Sequence, residues 1–169
     1  MRDRGCILID YDDKALSRKF RLWFPFTVCG AITIATIIAS PTNVEAAERV
    51  KLSTAIEKCT ASVRNTCVVD GDTLWLRGNK IRVADIDTPE ISEPKCPSEL
   101  ALGNRATERF IALINEGPFE MQAWPGRGVD RYRRKLRVLV RNGRSLGDLL
   151  VSEGLARTWT GRREPWCDR

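Results

Sequence analysis

Four carboxylates and one arginine near the middle of the chain have types and spacing suited to holding a divalent cation. Asp70 and Asp72 precede one short apolar run, Asp87 and Glu90 follow the next, and Arg82 lies between the two pairs. Acids gathered this closely would repel one another unless a cation lay among them. Carboxylate oxygens are ligands that Ca²⁺ and Mg²⁺ prefer, so the sequence predicts a site for a hard ion.

A β-hairpin is predicted to bring these acids together. The apolar-alternating runs 74–76 and 81–83 flank residues 77–80, which contain a Gly-Asn pair. Period-two alternation around such a pair is a hairpin signal. Because a hairpin folds back on itself, its two acidic ends are expected to meet, with Arg82 projecting between them.

Asp72 and Asp87 are the predicted side-chain ligands, and Thr88 is predicted to add its backbone carbonyl. Such a site would stay open to substrate, and a metal ion in it could neutralise charge on a phosphate. The alternative for each motif alone is structural, because Asp-Gly-Asp is commonly a surface turn and Asp-Thr-Pro-Glu a capped loop. The two motifs together, with Arg82 between them, are more specific.

Three side chains are candidates for the chemistry itself. Glu90 follows a proline, which fixes the local backbone, and it is predicted to orient or deprotonate an attacking water. Arg82 and Arg134 are predicted to clamp a phosphate with paired hydrogen bonds. Such donors contribute most when they face charge that grows in the transition state.

Residues 130–135 form a second charged segment, Asp-Arg-Tyr-Arg-Arg-Lys. Tyr132 is predicted to hydrogen-bond a phosphate or stack on a base, and Arg133 is predicted to bind substrate beside it. Without the acidic cluster, this segment would be interpreted as a solvated basic loop or a nonspecific phosphate-binding patch. Trp159 has a core or edge interpretation, with base stacking as the alternative.

The composition narrows the possible chemistry. The 169 residues carry a net charge of +6 and include no histidine. The absence of histidine excludes Ser-His-Asp triads, histidine acid–base catalysis and histidine-ligated zinc. The positive charge suits a polyanionic partner.

The first 46 residues are predicted to be an N-terminal extension with a signal peptide. Basic residues precede an uncharged run over 22–39, and the residues at 44 and 46 suit cleavage after Ala46. The protein is therefore expected to be exported, either periplasmic or secreted. The alternative is a retained membrane anchor with the domain outside the cytoplasm, since the run is about long enough to span a bilayer.

Four cysteines lie beyond this leader, namely Cys59, Cys67, Cys96 and Cys167. An even number in an exported domain favours disulfides. Four cysteines allow three pairings. In one of them, Cys59 with Cys67 would close a short loop, and Cys96 with Cys167 would tie the tail to the middle of the domain.

Residues 47–169 are predicted to form one β-rich α+β domain, a five-stranded oligonucleotide-binding (OB-fold) barrel with two or three helices. The predicted elements are an irregular or partly helical segment over 47–60, strands near 63–70, 73–77 and 80–85, a loop over 86–97, a helix over 98–115, strands near 119–124 and 135–141, a short helix capped by Ser145 and ended by Gly154, and a segment over 155–160 that runs back along the sheet.

The motifs resemble those of the staphylococcal-type nuclease (thermonuclease) family. They are Val69-Asp-Gly-Asp-Thr73, Ile81-Arg-Val83, Ile86-Asp-Thr-Pro-Glu90, Asp130-Arg-Tyr-Arg-Arg134 and Gly154-Leu-Ala156. The resemblance implies an OB-fold barrel that cleaves DNA and RNA with one Ca²⁺ and leaves 3′-phosphate ends.

The resemblance also implies roles for individual residues. Its calcium ligands fall on Asp72, Asp87 and Thr88, its catalytic residues on Arg82, Glu90 and Arg134, and a substrate-contacting tyrosine on Tyr132. Arg133 stands where the family usually has a glycine. If that glycine needs a positive φ, the loop here must shift or be strained.

Two other functions remain open at this point. One is a catalytically inactive OB-fold domain that binds nucleic acid, and the other is an envelope-anchored structural domain. The expected partner is DNA or RNA with low sequence specificity, without an obligate protein partner, and a membrane only if the apolar segment is retained. The acidic set and both arginines favour the nuclease.

Overall fold

The computed structural model describes residues 47–60 and 64–167, which form mixed β-sheets packed against two helices. The predicted leader over residues 1–46 lies outside the described residues, as does residue 63, the predicted start of a strand. Within the described ranges, no helix is both long and apolar enough to cross a membrane.

Most of the regular elements are short. In chain order they are β1 (Glu48–Val50), β2 (Cys67–Asp70), β3 (Thr73–Leu76), β4 (Asn79–Val83), β5 (Ile86–Asp87), α1 (Pro97–Asn115), β6 (Phe119–Ala123), β7 (Lys135–Arg141), β8 (Arg144–Ser145), α2 (Leu146–Ser152) and β9 (Arg157–Thr158).

The main sheet has the strand order β1-β6-β7-β4-β3-β2, with β8 paired to β7, and β5 and β9 form a separate two-stranded sheet. β4 and β7 pair in parallel, whereas the other ladders are antiparallel. The parallel pair needs a long crossover connection, which α1 and β6 provide. Among the described strands the sheet path ends at β1 and β2, so the closed barrel stays a prediction.

The predicted hairpin is confirmed as β3 and β4. Its register pairs Leu76 with Asn79, so the loop consists of Arg77 and Gly78. Both of these residues have positive φ, 50° and 76°. Two left-handed residues in a row match the twist of the flanking strands, which is why this turn type suits hairpins.

Two sequence predictions about local structure each missed a short strand. The segment 47–60, expected to be irregular or partly helical, contains β1, which pairs with β6. The segment 86–97, expected to be only a loop, contains β5, which pairs with β9. Strands of two or three residues are too short to show a period, and their partners lie far away in the sequence. Both helices are confirmed, although α1 begins at Pro97 after Cys96 rather than after Ser98.

The core lies between the sheet and α1. Phe110, Leu113 and Ile114 on the helix are buried with Leu74 and Ile81 of the hairpin. Two disulfides join Cys59 to Cys67 and Cys96 to Cys167. The second bond ties the C-terminal tail (residues 161–167) to the residue that precedes α1.

Candidate functional site

Two buried aspartates meet on one arginine, as the hairpin predicts. Asp72 lies in the β2–β3 turn, Arg82 on β4 and Asp87 on β5. The guanidinium of Arg82 contacts Asp72 Oδ1 through Nη1, and its Nη2 lies 3.4 Å from Asp87 Oδ1. The aspartates are only 2% and 4% exposed. Both carboxylates therefore reach a single cationic group.

Thr88 is fixed beside Asp72. Its backbone N–H and its hydroxyl donate to Asp72 Oδ2, at 3.1 and 3.0 Å. The glycine at position 71 allows this approach, because a Cβ there would lie 2.9 Å from Thr88 Cγ2 and 3.0 Å from Ala106 Cβ. The turn, β5 and α1 are therefore packed into mutual contact around the acids.

The acids are held in an environment that disfavours their charge. Burial, and then repulsion from Asp72, raise the pKa of Asp70 to about 7. Burial also raises the pKa of Asp87, against the opposing charges of Arg163 and Arg82. A group with a raised pKa near other acids is stabilised in its ionised form when a further cation binds.

Glu90 is positioned by a second, buried glutamate. The N–H of Glu90 lies 3.3 Å from Glu99 Oε1, and Glu99 Oε2 accepts a 2.6 Å hydrogen bond from the N–H of Lys95. Gly103 of α1 lies directly beneath, since a Cβ there would come within 2.8 Å of the Pro89 carbonyl oxygen. The backbone of the candidate base thus rests on the first turns of α1.

A groove of about 890 Å³ opens beside Arg82, and Asp72, Asp87 and Thr88 are not among the residues that line it. The candidate catalytic residues Arg82, Glu90 and Arg134 all line it, together with Tyr132. The remaining lining is mostly basic and aromatic: Arg127, Arg131, Arg162, Arg163, Trp124 and Trp159, with Ala84, Asp130, Leu136 and Gly161. The structure therefore brings together the catalytic set that the sequence predicts.

Arg134 is oriented by Asp130 of its own loop. The backbone N–H of Arg134 donates to Asp130 Oδ1 at 2.8 Å, and its Nε donates to Oδ2 at 2.6 Å. Burial alone would raise the pKa of Asp130, but the hydrogen bonds and charge of Arg134 outweigh it and lower the pKa. This pairing holds the guanidinium at the groove.

The neighbours of Arg134 differ in their placement. Tyr132 is 63% exposed, and its ring lies under the guanidinium groups of Arg131 and Arg134, at 4.7 and 5.4 Å. Arg133 is exposed and is not among the residues that line the groove. Its φ of 62° lies in the left-handed region that favours glycine. The loop keeps this conformation with an arginine in place.

The C-terminal tail contributes two side chains that the sequence prediction missed. Arg163 pairs with Glu90 Oε1 through Nη1, and its Nε lies 3.3 Å from Asp87 Oδ1. Trp166 Nε1 donates to Asp87 Oδ2 at 3.2 Å. Cys167 follows directly and is bonded to Cys96. Choosing that pairing from the sequence would have placed the tail near residue 96, although not in contact with the acids.

The donor set at Asp72 and Asp87 fits a hard ion. Both offer carboxylate oxygens to the same guanidinium, and carboxylate oxygens are the ligands that Ca²⁺ and Mg²⁺ prefer. Another group of possible ligands, Cys96, Cys167 and Glu99, has donor atoms within 4.8 Å of one another. Its two sulfurs are joined in a disulfide and are therefore not free to bind a metal.

Comparison with known proteins gives one family and two similar bacterial proteins. The family model described as staphylococcal nuclease homologue matches residues 80–168. The SPbeta prophage-derived endonuclease YokF of Bacillus subtilis (strain 168) is 34% identical over 93 residues, which cover 53% of this chain and 31% of that protein. Endonuclease YncB of the same organism is 33% identical over 93 residues, covering 53% of this chain and 44% of that protein. The chain thus spans less than half the length of either relative.

Proposed function

The chain belongs to the staphylococcal nuclease homologue family, and from that premise we propose that it is a nuclease. It hydrolyses phosphodiester bonds of DNA or RNA with low sequence specificity and depends on one Ca²⁺. The observation that carries this proposal is the meeting of Asp72 and Asp87 on Arg82 at a groove that Glu90 and Arg134 also line.

Asp72 and Asp87 would hold the ion with their carboxylates, and Thr88 with its carbonyl oxygen. When bound, Ca²⁺ supplies positive charge that lowers the cost of negative charge on the reacting phosphate. Trp166 keeps one oxygen of Asp87 oriented by its hydrogen bond, as groups around a ligand commonly do.

The chain's own residues supply the rest of the chemistry. Glu90 accepts a proton from the attacking water at its carboxylate. Arg82 and Arg134 donate hydrogen bonds to the phosphate oxygens, and their charge opposes the charge that grows in the transition state. Asp130 keeps Arg134 ready for this contact without a large change of side-chain conformation.

The groove would bind the substrate through features common to every nucleotide. Its arginines neutralise phosphates without regard to sequence. Tyr132, Trp124 and Trp159 offer rings on which bases can stack, which favours unpaired strands. Arg133, exposed in the same loop, would add a phosphate contact outside the groove. Two disulfides suit the oxidising conditions met by an exported protein.

The experiment that tests the function is digestion of plasmid DNA and of RNA by the purified protein. Cleavage is expected in millimolar Ca²⁺ and is expected to stop when a chelator is added. The inactive-domain alternative predicts retention of nucleic acid in a gel shift without cleavage. Binding without cleavage in Ca²⁺, Mg²⁺ and Mn²⁺ alike would refute the proposed activity.

Substitution of the candidate base assigns the activity to this site. Glu90→Gln keeps the size of the side chain and is expected to lower kcat by about 10²- to 10⁴-fold. Glu93→Gln makes the same change at an exposed position of the same loop and serves as the matched control. Thermal melts of both variants establish that they fold. Equal activity of the two variants would remove Glu90 from the chemistry.

A further inference from the structure

The C-terminal tail places a cation against the acids of the site. Arg163 pairs with Asp87 and with Glu90, and these are the predicted ion ligand and the candidate base. In the described part of the chain, ion pairs to these two carboxylates come from Arg82 and Arg163. Arg82 belongs to β4 and lies beneath the site, whereas Arg163 reaches it from the tail.

The backbone of the tail is held firmly around this contact. The Cys96–Cys167 disulfide anchors it four positions after Arg163. The guanidinium of Arg157 lies 3.6 Å from the centre of the Trp166 ring and donates to the Pro165 carbonyl at 3.0 Å. A guanidinium carried by so short a tether has a high effective concentration at the carboxylates.

The side chain of Arg163 is not buried, so it can move away from the two carboxylates. It is 46% exposed, and it also lines the groove that Arg82 and Arg134 face. Asp87 Oδ1 already faces two guanidinium groups, from Arg82 and Arg163, at 3.4 and 3.3 Å. A divalent ion bound at this oxygen would meet Arg163 as a competing positive charge.

We propose that Arg163 is an internal counter-ion of the nuclease site, one that a divalent ion displaces from Asp87 and Glu90. This inference rests on the proposed function, since it takes Asp87 to be an ion ligand. In the ion-free protein Arg163 stabilises the two acids. When the ion binds, Arg163 releases Glu90, which can then act on water, and the guanidinium faces phosphates in the groove.

Calorimetric titration with CaCl₂, in the absence of nucleic acid, tests the competition directly. Ca²⁺ would bind only those molecules in which Arg163 has left Asp87, so the contact weakens the apparent affinity. Arg163→Ala removes this competition and is expected to lower the Kd for Ca²⁺ by about 3- to 10-fold. Arg162→Ala is the matched control, since it removes the same charge from the neighbouring position, which lines the same groove. Arg163→Lys keeps the charge and should give a Kd between those of the wild type and Arg163→Ala.

Thermal melting provides a second readout with its own sign. In chelator, Arg163→Ala should melt about 2–5 °C below the wild type, because the acids lose their counter-ion. In saturating Ca²⁺ that difference should vanish, whereas any difference for Arg162→Ala should be the same in both conditions.

These measurements distinguish failure of the counter-ion proposal from failure of the proposed nuclease activity. An unchanged or weaker Ca²⁺ affinity in Arg163→Ala, in a wild type that binds Ca²⁺ and cleaves, overturns the counter-ion alone. Equal tightening in Arg162→Ala also overturns it, because a general charge effect would then suffice. If neither the wild type nor Arg163→Ala binds Ca²⁺, the proposed function and the inference fail together.

Discussion

Removing the Cys96–Cys167 disulfide should cost more stability than removing Cys59–Cys67, because it closes a far longer loop. The sequence separations are 71 and 8 residues. The loop-closure entropy of the unfolded chain then predicts losses of about 4.4 and about 2.5 kcal/mol for replacing each pair with alanines. Each double variant is the control for the other, since each loses two sulfurs and one cross-link.

Urea titration followed by far-ultraviolet circular dichroism measures the difference. With an m-value of about 1.5 kcal/mol/M, the midpoints should fall by about 3 M and about 1.7 M. Removing the Cys96–Cys167 disulfide also frees the tail that holds Arg163 and Trp166 at the acids, which should lower the stability further. Equal losses, or a larger loss for the Cys59–Cys67 pair, would refute the loop-length argument.

Two further substitutions test features of the loop and the acidic cluster. Arg133→Gly should raise the free energy of unfolding by about 0.5–1 kcal/mol, because φ at this position is 62°. Asn142→Gly, at φ 52°, should raise it by less, since asparagine adopts this region more readily. A lower free energy of unfolding for Arg133→Gly in a urea titration would contradict the argument. The pKa of Asp70 is raised from 3.8 to about 7, so between these values the folded state keeps a proton that the unfolded state has lost. In chelator, the free energy of unfolding of the wild type should therefore fall as the pH rises from about 4 to about 7, by up to about 1.4 kcal/mol per pH unit. Asp70→Asn should flatten this slope in melts across that pH range while Glu93→Gln should not, and an equal slope in Asp70→Asn and the wild type would contradict the raised pKa.

The part of the site that the sequence predicted depends on local patterns. The hairpin has a clear period and turn, and it carries Asp72 and Arg82 into contact without help from distant residues. The approach of Asp87 follows from the same hairpin, since it lies four residues past the end of β4. Local periodicity and turn chemistry therefore placed Asp72 and Arg82, whereas Asp87 also depends on the pairing of β5 with β9.

The part that the sequence did not predict depends on long-range pairing. Arg163 and Trp166 reach the acids because Cys167 pairs with Cys96, and this was one of three pairings that the sequence allowed. Likewise, β5 exists because β9 lies against it. Cys167 indicated a tie to the middle of the domain, but no pattern in the segment 161–167 indicated that Arg163 and Trp166 would contact the acids.

The parallel pairing of β4 with β7 joins two segments that are synthesised at different times, and the proposed activity needs residues from both. Arg82 pairs with Leu136, and Arg134 comes immediately before β7, so the ladder that joins their segments can form only after α1 and β6 have been synthesised. A chain emerging from the ribosome would have its acidic hairpin long before its second arginine. The proposed activity would thus need the β4–β7 ladder in addition to the hairpin.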